Sequence, residues 1–413
     1  MIDNMKFRFK IFLIIISVLL ANSELFSQGG SNYSIFGIGD IYNSSGSFYE
    51  GLGGSTAAVP SRSAINLKNP ALWGLVDKTR LQVGYNFNQR ISITENSTLF
   101  QNNGKVNSIL GLFAIDSALG LSVSFGMYPY SSVNYMIDSP IQILIDDVLI
   151  EGKTSFTGKG GISLAYIGAS SKLANNLWVG ASVFGLFGNS KTTIVTQFYE
   201  ASYHSSASYK QDFFNGLGFR GGLYYQAAYN YGFGAFVETV PSFSVESNIR
   251  YQSVMVADTN FKFNDKYDMA PALGVGANYA SGIFMFTADA QMQDFSGFKY
   301  NTGANTKFRK NLSFSLGVQR MGSGRYSASL LDKSSYNFGI GYKQLYYSFR
   351  GTDINELWAS FGMELPIVNN LLIDYSLVLG TRGTADNGLV RELFGKLTID
   401  LNIGELWFVP YRR

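Results

Sequence analysis

The chain has 413 residues, a formal net charge of +3, one histidine and no cysteine. Charged residues make up 15%, well below the roughly 25% of ordinary soluble domains, while aromatics reach 15% and glycine accounts for 45 residues. This balance argues against a nucleic-acid surface, excludes a disulfide framework or a cysteine-linked lipid anchor, and leaves no donor set for a zinc or copper centre.

The chain opens with Lys6, Arg8 and Lys10, then the ten-residue apolar run IFLIIISVLL at 11–20, then a polar stretch with small Ser27. Positive residues, a short apolar core and a small residue describe a secretory signal peptide, here residues 1–27. The apolar run is too short to span a bilayer as a helix, which needs about 20 residues. No later segment reaches 18 uninterrupted apolar residues. The exported chain is therefore either a soluble β protein or a transmembrane β-barrel.

Residues 28–78 come next, and within them GLGGSTAAVPSRSAINLKNPALWGL (51–75) has no helix or strand period. It is too apolar for a free linker. Gly51, Gly53 and Gly54 allow tight bends, and Asn69-Pro70 marks a turn that stops any helix before Pro70. Such a segment suits a chain packed inside a barrel, as a plug.

From Thr79 on, period-2 alternation dominates. Leu81, Val83 and Tyr85 alternate with Gln82, Gly84 and Asn86. Phe284, Phe286 and Ala288 alternate with Thr287 and Asp289, and Leu397, Ile399 and Leu401 with Thr398 and Asp400. Each such run has one apolar face and one polar or small face. Several runs are about nine residues long, close to the 9–11 of a tilted membrane strand. Short Asn-, Asp-, Gly- and Ser-containing turns are expected within 113–121, 171–179, 228–233, 279–284 and 365–373. Longer polar excursions are expected near 136–160, 188–212, 245–267, 295–310, 321–335 and 381–391. Alternating short and long connections describe an up-and-down outer-membrane barrel. At roughly 24 residues per strand and connection, 79–408 accommodates about 14 antiparallel strands, within a barrel region of 79–413. A barrel of that size encloses more space than its own side chains fill, which is the physical case for the plug.

Little in the sequence points to catalysis. His204 adjoins Ser205 and Ser206, but neighbouring residues on a strand face opposite sides, so a serine-hydrolase pair is not expected. Asp146, Asp147 and Glu151 are read as carboxylates of a solvated extracellular loop, with IQILI (141–145) beside them covering the barrel mouth. Arg382, Asp386, Arg391 and Glu392 are expected to pair with one another or with lipopolysaccharide. Gly180, Gly185, Gly274 and Gly276 read as lumen or close-packing positions, and Pro129 and Pro241 as strand ends. NIGELWFV (402–409) resembles the signal by which barrel-assembly machinery recognises a last strand, although the chain continues to Arg413.

SAINLKNPALWGL resembles the N-terminal plug motif of the FadL family of outer-membrane transporters of long-chain fatty acids and other hydrophobic compounds. GLGGSTAAV stands where that family has its glycine- and alanine-rich lead-in, and Asn69, Pro70 and Ala71 stand at the Asn-Pro-Ala. The resemblance implies a 14-stranded barrel with a lumen plug and a passive uptake role for hydrophobic small molecules. It also implies plug or gating roles for Gly51, Gly53, Gly54, Asn69, Pro70 and Ala71, and an interruption of the wall that opens sideways into the membrane. The weakest strand pattern, 207–222, is where that interruption is expected. No counterpart of the family's ligand-pocket residues is found. Outer-membrane lipid, lipopolysaccharide and a hydrophobic ligand are the implied partners; no cofactor or metal is called for. Similar plugged barrels occur among accessories of type nine secretion, so an accessory or scaffold role with a protein partner is the alternative.

Overall fold

A computed structural model describes residues 27–407 apart from 29, 43–45, 95–96, 146, 201–202, 255, 304, 326 and 369. Most of the expected signal peptide, and the end of the 402–409 stretch, lie outside the described residues.

Fourteen strands form the wall. They are β1 (Thr79–Ile93), β2 (Thr98–Asp116), β3 (Leu121–Ile145), β4 (Val148–Ala174), β5 (Leu177–Phe198) and β6 (Ser206–Ala228). β7 (Tyr231–Thr239 and Ser242–Ser253), β8 (Val256–Asp268 and Ala272–Ser281) and β9 (Phe284–Asp294) follow. β10 (Thr306–Phe308 and Lys310–Arg320), β11 (Ser335–Phe349), β12 (Thr352–Val368), β13 (Leu371–Arg382) and β14 (Arg391–Glu405) complete the set. Consecutive strands pair antiparallel, and β14 closes on β1 from Arg391↔Ile93 to Glu405↔Thr79. This is a closed outer-membrane β-barrel, with the strand number expected from the sequence.

The side-chain pattern is inverted relative to a soluble protein. Leu81, Val83 and Tyr85 are about half exposed, while their neighbours Gln82 and Asn86 are fully buried. Phe284 and Phe286 face out and Thr287 and Asp289 face in. Apolar side chains outward and polar ones inward describe a wall bathed in hydrocarbon. The breaks in β7 and β8 contain Pro241 and Pro271, whose missing N–H interrupts the ladder.

The connections depart from expectation. The stretches 136–160, 188–212 and 245–267 are not loops. They continue the ladder as hairpins, with β3 pairing β4 out to Ile145↔Val148 and β7 pairing β8 to Ser253↔Val256. β4, with 27 residues, extends roughly 90 Å at 3.3 Å per residue, far more than a bilayer requires. Glu151 and the IQILI residues are therefore strand residues of a projecting hairpin, not a mouth cover, and Asp147 is its turn residue with φ +61°. A sequence carrying polar residues on both faces looks like loop, but here the neighbouring strand supplies its hydrogen bonds. The connection 321–334 lies at the same end of the barrel as the short turns, and includes a helical turn at Leu330–Lys333. Pro129 is inside β3, at a register shift between Pro129 and Ser131, rather than at a strand end.

Candidate functional site

The segment before β1 lies against the inward side of the strands. Its regular structure is small: 3-10 turns at Asn32–Ile35 and Pro70–Leu75, a five-residue helix α1 (Ser47–Gly51), and two-residue bridges at Ser27–Gln28 and Asp40–Ile41. Leu52, Ala57, Ala58, Val59, Ile65, Asn69, Ala71 and Trp73 are all fully buried. A buried backbone without secondary structure needs other partners for its polar groups. Inward-facing side chains provide them. Asp400 accepts from the Ser47 amide at 2.6 Å and hydroxyl at 2.8 Å. Ser360 accepts from the Gly53 amide at 3.0 Å and donates to the Gly51 carbonyl at 3.0 Å. Asp289 accepts from the amides of Thr56 at 2.5 Å and Ala57 at 2.6 Å, and Asn278 donates to the Ala58 carbonyl at 2.5 Å. These partners come from β14, β12, β9 and β8, so the segment is tied across the ring.

The wall approaches it closely. A Cβ on Gly234 would stand 1.9 Å from the Ala57 oxygen, and one on Gly339 2.0 Å from the Gly53 nitrogen. Gly222 faces Asn69, Gly180 faces Pro70, and Gly362 meets Gly51 backbone to backbone. Gly274 and Gly276, in contrast, meet the barrel side chains Phe236 and Asp289, and a Cβ on Gly185 would meet open space.

Each residue singled out in the segment has a distinct place. Gly53 and Gly54 take φ of +71° and +90°, so both occupy the left-handed region where glycine is favoured. Gly51 makes no such bend; it is the close-contact residue opposite Gly362. Asn69 caps the turn at Pro70–Leu75 by accepting from the Ala71 amide at 3.1 Å. Asn69-Pro70 thus starts a helical turn rather than only ending one, because proline at the first position gives up an N–H that has no partner there anyway. The Asn69 amide nitrogen also donates to Ala57 O at 2.6 Å and to Leu223 O on β6 at 2.9 Å. Ala71 is buried beside it, and Trp73 donates to Asn66 O at 2.6 Å and stacks on Tyr166.

Residues 30–42 are held by ions. Arg382 binds Asp40 at 2.8 Å and Glu356 at 2.6 Å, and Arg90 binds Glu392 at 2.9 Å. Glu392 accepts from the Ser31 hydroxyl and the Asn32 amide, both at 2.8 Å. Burial opposes ionisation of Asp40, yet Arg382 and Arg90 outweigh it and hold its carboxyl below the usual range. A cavity of about 160 Å³ lies among these groups. Arg382 and Glu392, read from sequence as partners in a loop, are strand residues aimed into the lumen; Asp386 alone of that set pairs locally, with Thr384 at 2.6 Å. A second ionic group lies under Lys68, whose ammonium is 3.8 Å from Glu238; Arg220 holds the same carboxylate at 2.5 Å. Burial pulls Lys68 below the ordinary lysine value despite Glu238. His204 is exposed in the β5–β6 connection.

Two neighbouring strands of the wall, β2 and β3, part for much of their length. The β2–β3 ladder runs from Asp116↔Leu121 to Ile109↔Met127 and stops. Beyond it β2 stays with β1 and β3 stays with β4. The N-terminal segment pairs with both free edges: Ser27 and Gln28 run parallel to Gln101 and Asn102, and Asp40 and Ile41 pair with Ser132 and Ser131. Tyr42 adds a contact, its hydroxyl meeting the Lys105 ammonium, which lies 4.2 Å from the ring centre. The bend that parts the strands is built from glycine. Gly160 and Gly161 have φ of +121° and +142°, and a Cβ on Gly188 would lie 2.2 Å from Gly161 O. A cavity of about 410 Å³ opens here, beside Lys105, Ser108, Ile109, Met127 and Ser131. The expected place, 207–222, is instead paired to β5 throughout and to β7 except at 217–218, opposite the break at Pro241. An edge that a separate segment of chain occupies leaves no local signature in strand periodicity; the bulge-forming Pro129 and the Gly160-Gly161 pair were the available signals.

The space where an apolar pocket would sit behind the loops is filled by packed aromatic rings, including Phe243, Phe295, Phe298, Tyr300 and Tyr346. Tyr300 reaches across to Asp212 at 2.6 Å.

The sequence pattern of one protein family, BamG, matches residues 8–412. The chain belongs to the BamG family. The sequence comparison with curated proteins finds no match. Among solved structures, the CymD monoaromatic hydrocarbon channel superposes with a TM-score of 0.60 at 16% identity, over 91% of this chain and 100% of that one. The toluene transporter TodX of P. putida gives 0.60 at 12%, over 88% and 99%. A Pseudomonas aeruginosa FadL homologue gives 0.62 at 9%, over 90% and 100%. At these identities the likeness is one of fold.

Proposed function

We propose that this BamG-family barrel is an outer-membrane channel for passive uptake of hydrophobic small molecules, exported by residues 1–27 and closed by residues 28–78 as a lumen plug within the barrel 79–413. The observation that carries the reading is the break between β2 and β3, which gives the hydrocarbon phase a way into a barrel whose lumen is otherwise packed. The plug residues Gly51, Gly53, Gly54, Asn69, Pro70 and Ala71 fix the segment to the wall, and residues 27–42 cover the break. A solute enters from the outer leaflet, and movement of the covering residues opens the route sideways through the wall. No nucleotide site is invoked, so a concentration gradient or a downstream sink drives the flux. Barrels of this fold that are described as hydrocarbon or toluene channels support the solute class.

The test is uptake of toluene and of oleate by proteoliposomes holding the full chain, against the variants Asn69→Ala and Gly234→Val. Faster uptake than empty liposomes, altered by both variants, supports the proposal. Uptake equal to that of empty liposomes for both solutes, with correctly folded protein, removes it.

A further inference from the structure

The outward face of β4 and β5 carries an unbalanced charge. Lys159 on β4 and Lys191 on β5 are direct partners in the ladder, and both are exposed. They share the parity of Ile167 and Phe187, which face outward, and not that of Leu164 and Leu186, which are buried. Residues so paired on one face have Cβ atoms about 5 Å apart, and like charges there repel. Neither ammonium meets an acid within ion-pair distance among the described residues. The outward positions of β4 from 155 to 165, of β5 from 185 to 195 and of β6 from 207 to 215 hold no carboxylate. Asp138 is taken by Lys153 at 3.0 Å. Glu246 lies on β7, two strands from Lys191.

Height places this pair at a membrane surface. On β5, Leu177–Phe187 supplies the 9–11 residues of one crossing, with Val183 and Phe187 exposed. Asn189 and Lys191 are the next outward positions, on the side of the long hairpins, which face the exterior in an outer-membrane barrel. Tyr209, opposite Thr193 on the same face, is exposed there, as aromatics are at the interface. A depression of about 720 Å³ continues from Lys191 across β6 and β7 to β8, and no carboxylate lines it. Lys191, Gln211, Asn248 and Lys262 follow one another across the strands. Lys210 and Arg250, which also line it, are held by Asp212 at 2.9 Å and Asp258 at 2.6 Å.

We propose that this face binds lipid A, the phosphorylated sugar lipid of the outer leaflet, with a phosphate between Lys159 and Lys191 and the sugar over Gln211 and Asn248. A phosphate turns the lysine repulsion into two charge-assisted contacts. Side-chain amides both donate and accept, as sugar hydroxyls require, and Phe187 and Phe213 below face the acyl chains. The site is on the outer surface and does not depend on solute uptake. Native mass spectrometry of the full protein in mild detergent, supplied with lipid A, dephosphorylated lipid A or cardiolipin, tests it. Lipid A is expected to be retained best, and its retention to fall roughly thirtyfold in Lys159→Gln/Lys191→Gln but not in Lys172→Gln, at the short-turn end. In detergent without lipid the double variant is expected to be at least as heat-stable as the wild type, since an opposed pair of like charges has gone. Lower stability would mean that bonds within the barrel hold the lysines, and would overturn the site, as would unchanged retention in the double variant. Equal retention of dephosphorylated lipid A overturns phosphate recognition. Stronger retention of cardiolipin overturns the choice of a sugar head.

Discussion

Asn69→Ala is the sharpest perturbation of the lumen segment. Asn69 is fully buried. Its side chain makes three bonds: it accepts from Ala71 N and donates to Ala57 O and to Leu223 O. Loss of the cap costs about 1 kcal/mol. Loss of the two donated bonds adds about 0.5–1.5 kcal/mol each, because the carbonyls stay buried. The sum is about 3 kcal/mol. These bonds fasten the segment and are not part of the barrel ladder, so the cost falls on docking. At about 1.4 kcal/mol per factor of ten, the open population of the segment should rise roughly a hundredfold. Amide hydrogen exchange of the full chain in detergent, read by mass spectrometry over 56–74, measures this. Asn69→Ser, which keeps a capping oxygen and loses the amide donors, should fall between wild type and alanine. Protection over 56–74 that drops less than threefold would refute the reasoning. So would equal loss of protection in β9–β14, since the segment would then not open separately from the wall.

Other outcomes follow from the same contacts. Gly339→Val places atoms on the Gly53 nitrogen; it should unseat residues 51–54 and raise single-channel conductance in planar bilayers, and an unchanged conductance would count against close packing there. Leu316→Arg puts a charge on the outward face, where Leu316 is 55% exposed; about 2–4 kcal/mol of stability should be lost in lipid, and a neutral result in denaturant titration would mean that face does not contact hydrocarbon. Arg382→Gln leaves Asp40 with Arg90 alone, at 3.8 Å, takes the ion-pair partner of Glu356, and should cost about 3–5 kcal/mol, seen as faster exchange over 30–42. Because the folded carboxyl of Asp40 is held low, its contribution is full above the ordinary aspartate value of about 3.9 and disappears as pH falls through the lower folded value. Docking of 30–42 should therefore hold from neutral pH to about pH 4 and loosen below it; loosening that begins near pH 6 would assign the control to another group.

The barrel was legible in the sequence because strand alternation is a local property. Leu81, Val83 and Tyr85 against Gln82 and Asn86 record which face meets lipid, and the short turns record where strands reverse. The bends of the segment before β1 were legible for a related reason: Gly53-Gly54 and Asn69-Pro70 carry backbone requirements that few other residues meet. What the sequence alone left undetermined depends on residues far apart. Nothing near Arg382 or Glu392 indicates that Asp40 and Ser31 will be their partners, since those meetings require a closed ring with a chain inside it. The extended hairpins of β3 to β8 read as polar loops, because a strand solvated on both faces loses its alternation while keeping its ladder. The break in the wall was misplaced because an unpaired edge is defined by the absent neighbour rather than by its own residues. Sequence by itself determined the inside, the outside and the count of the strands; the tertiary structure decided which edges part, and which distant side chains hold the segment that covers them, because both depend on contacts made only when the ring closes.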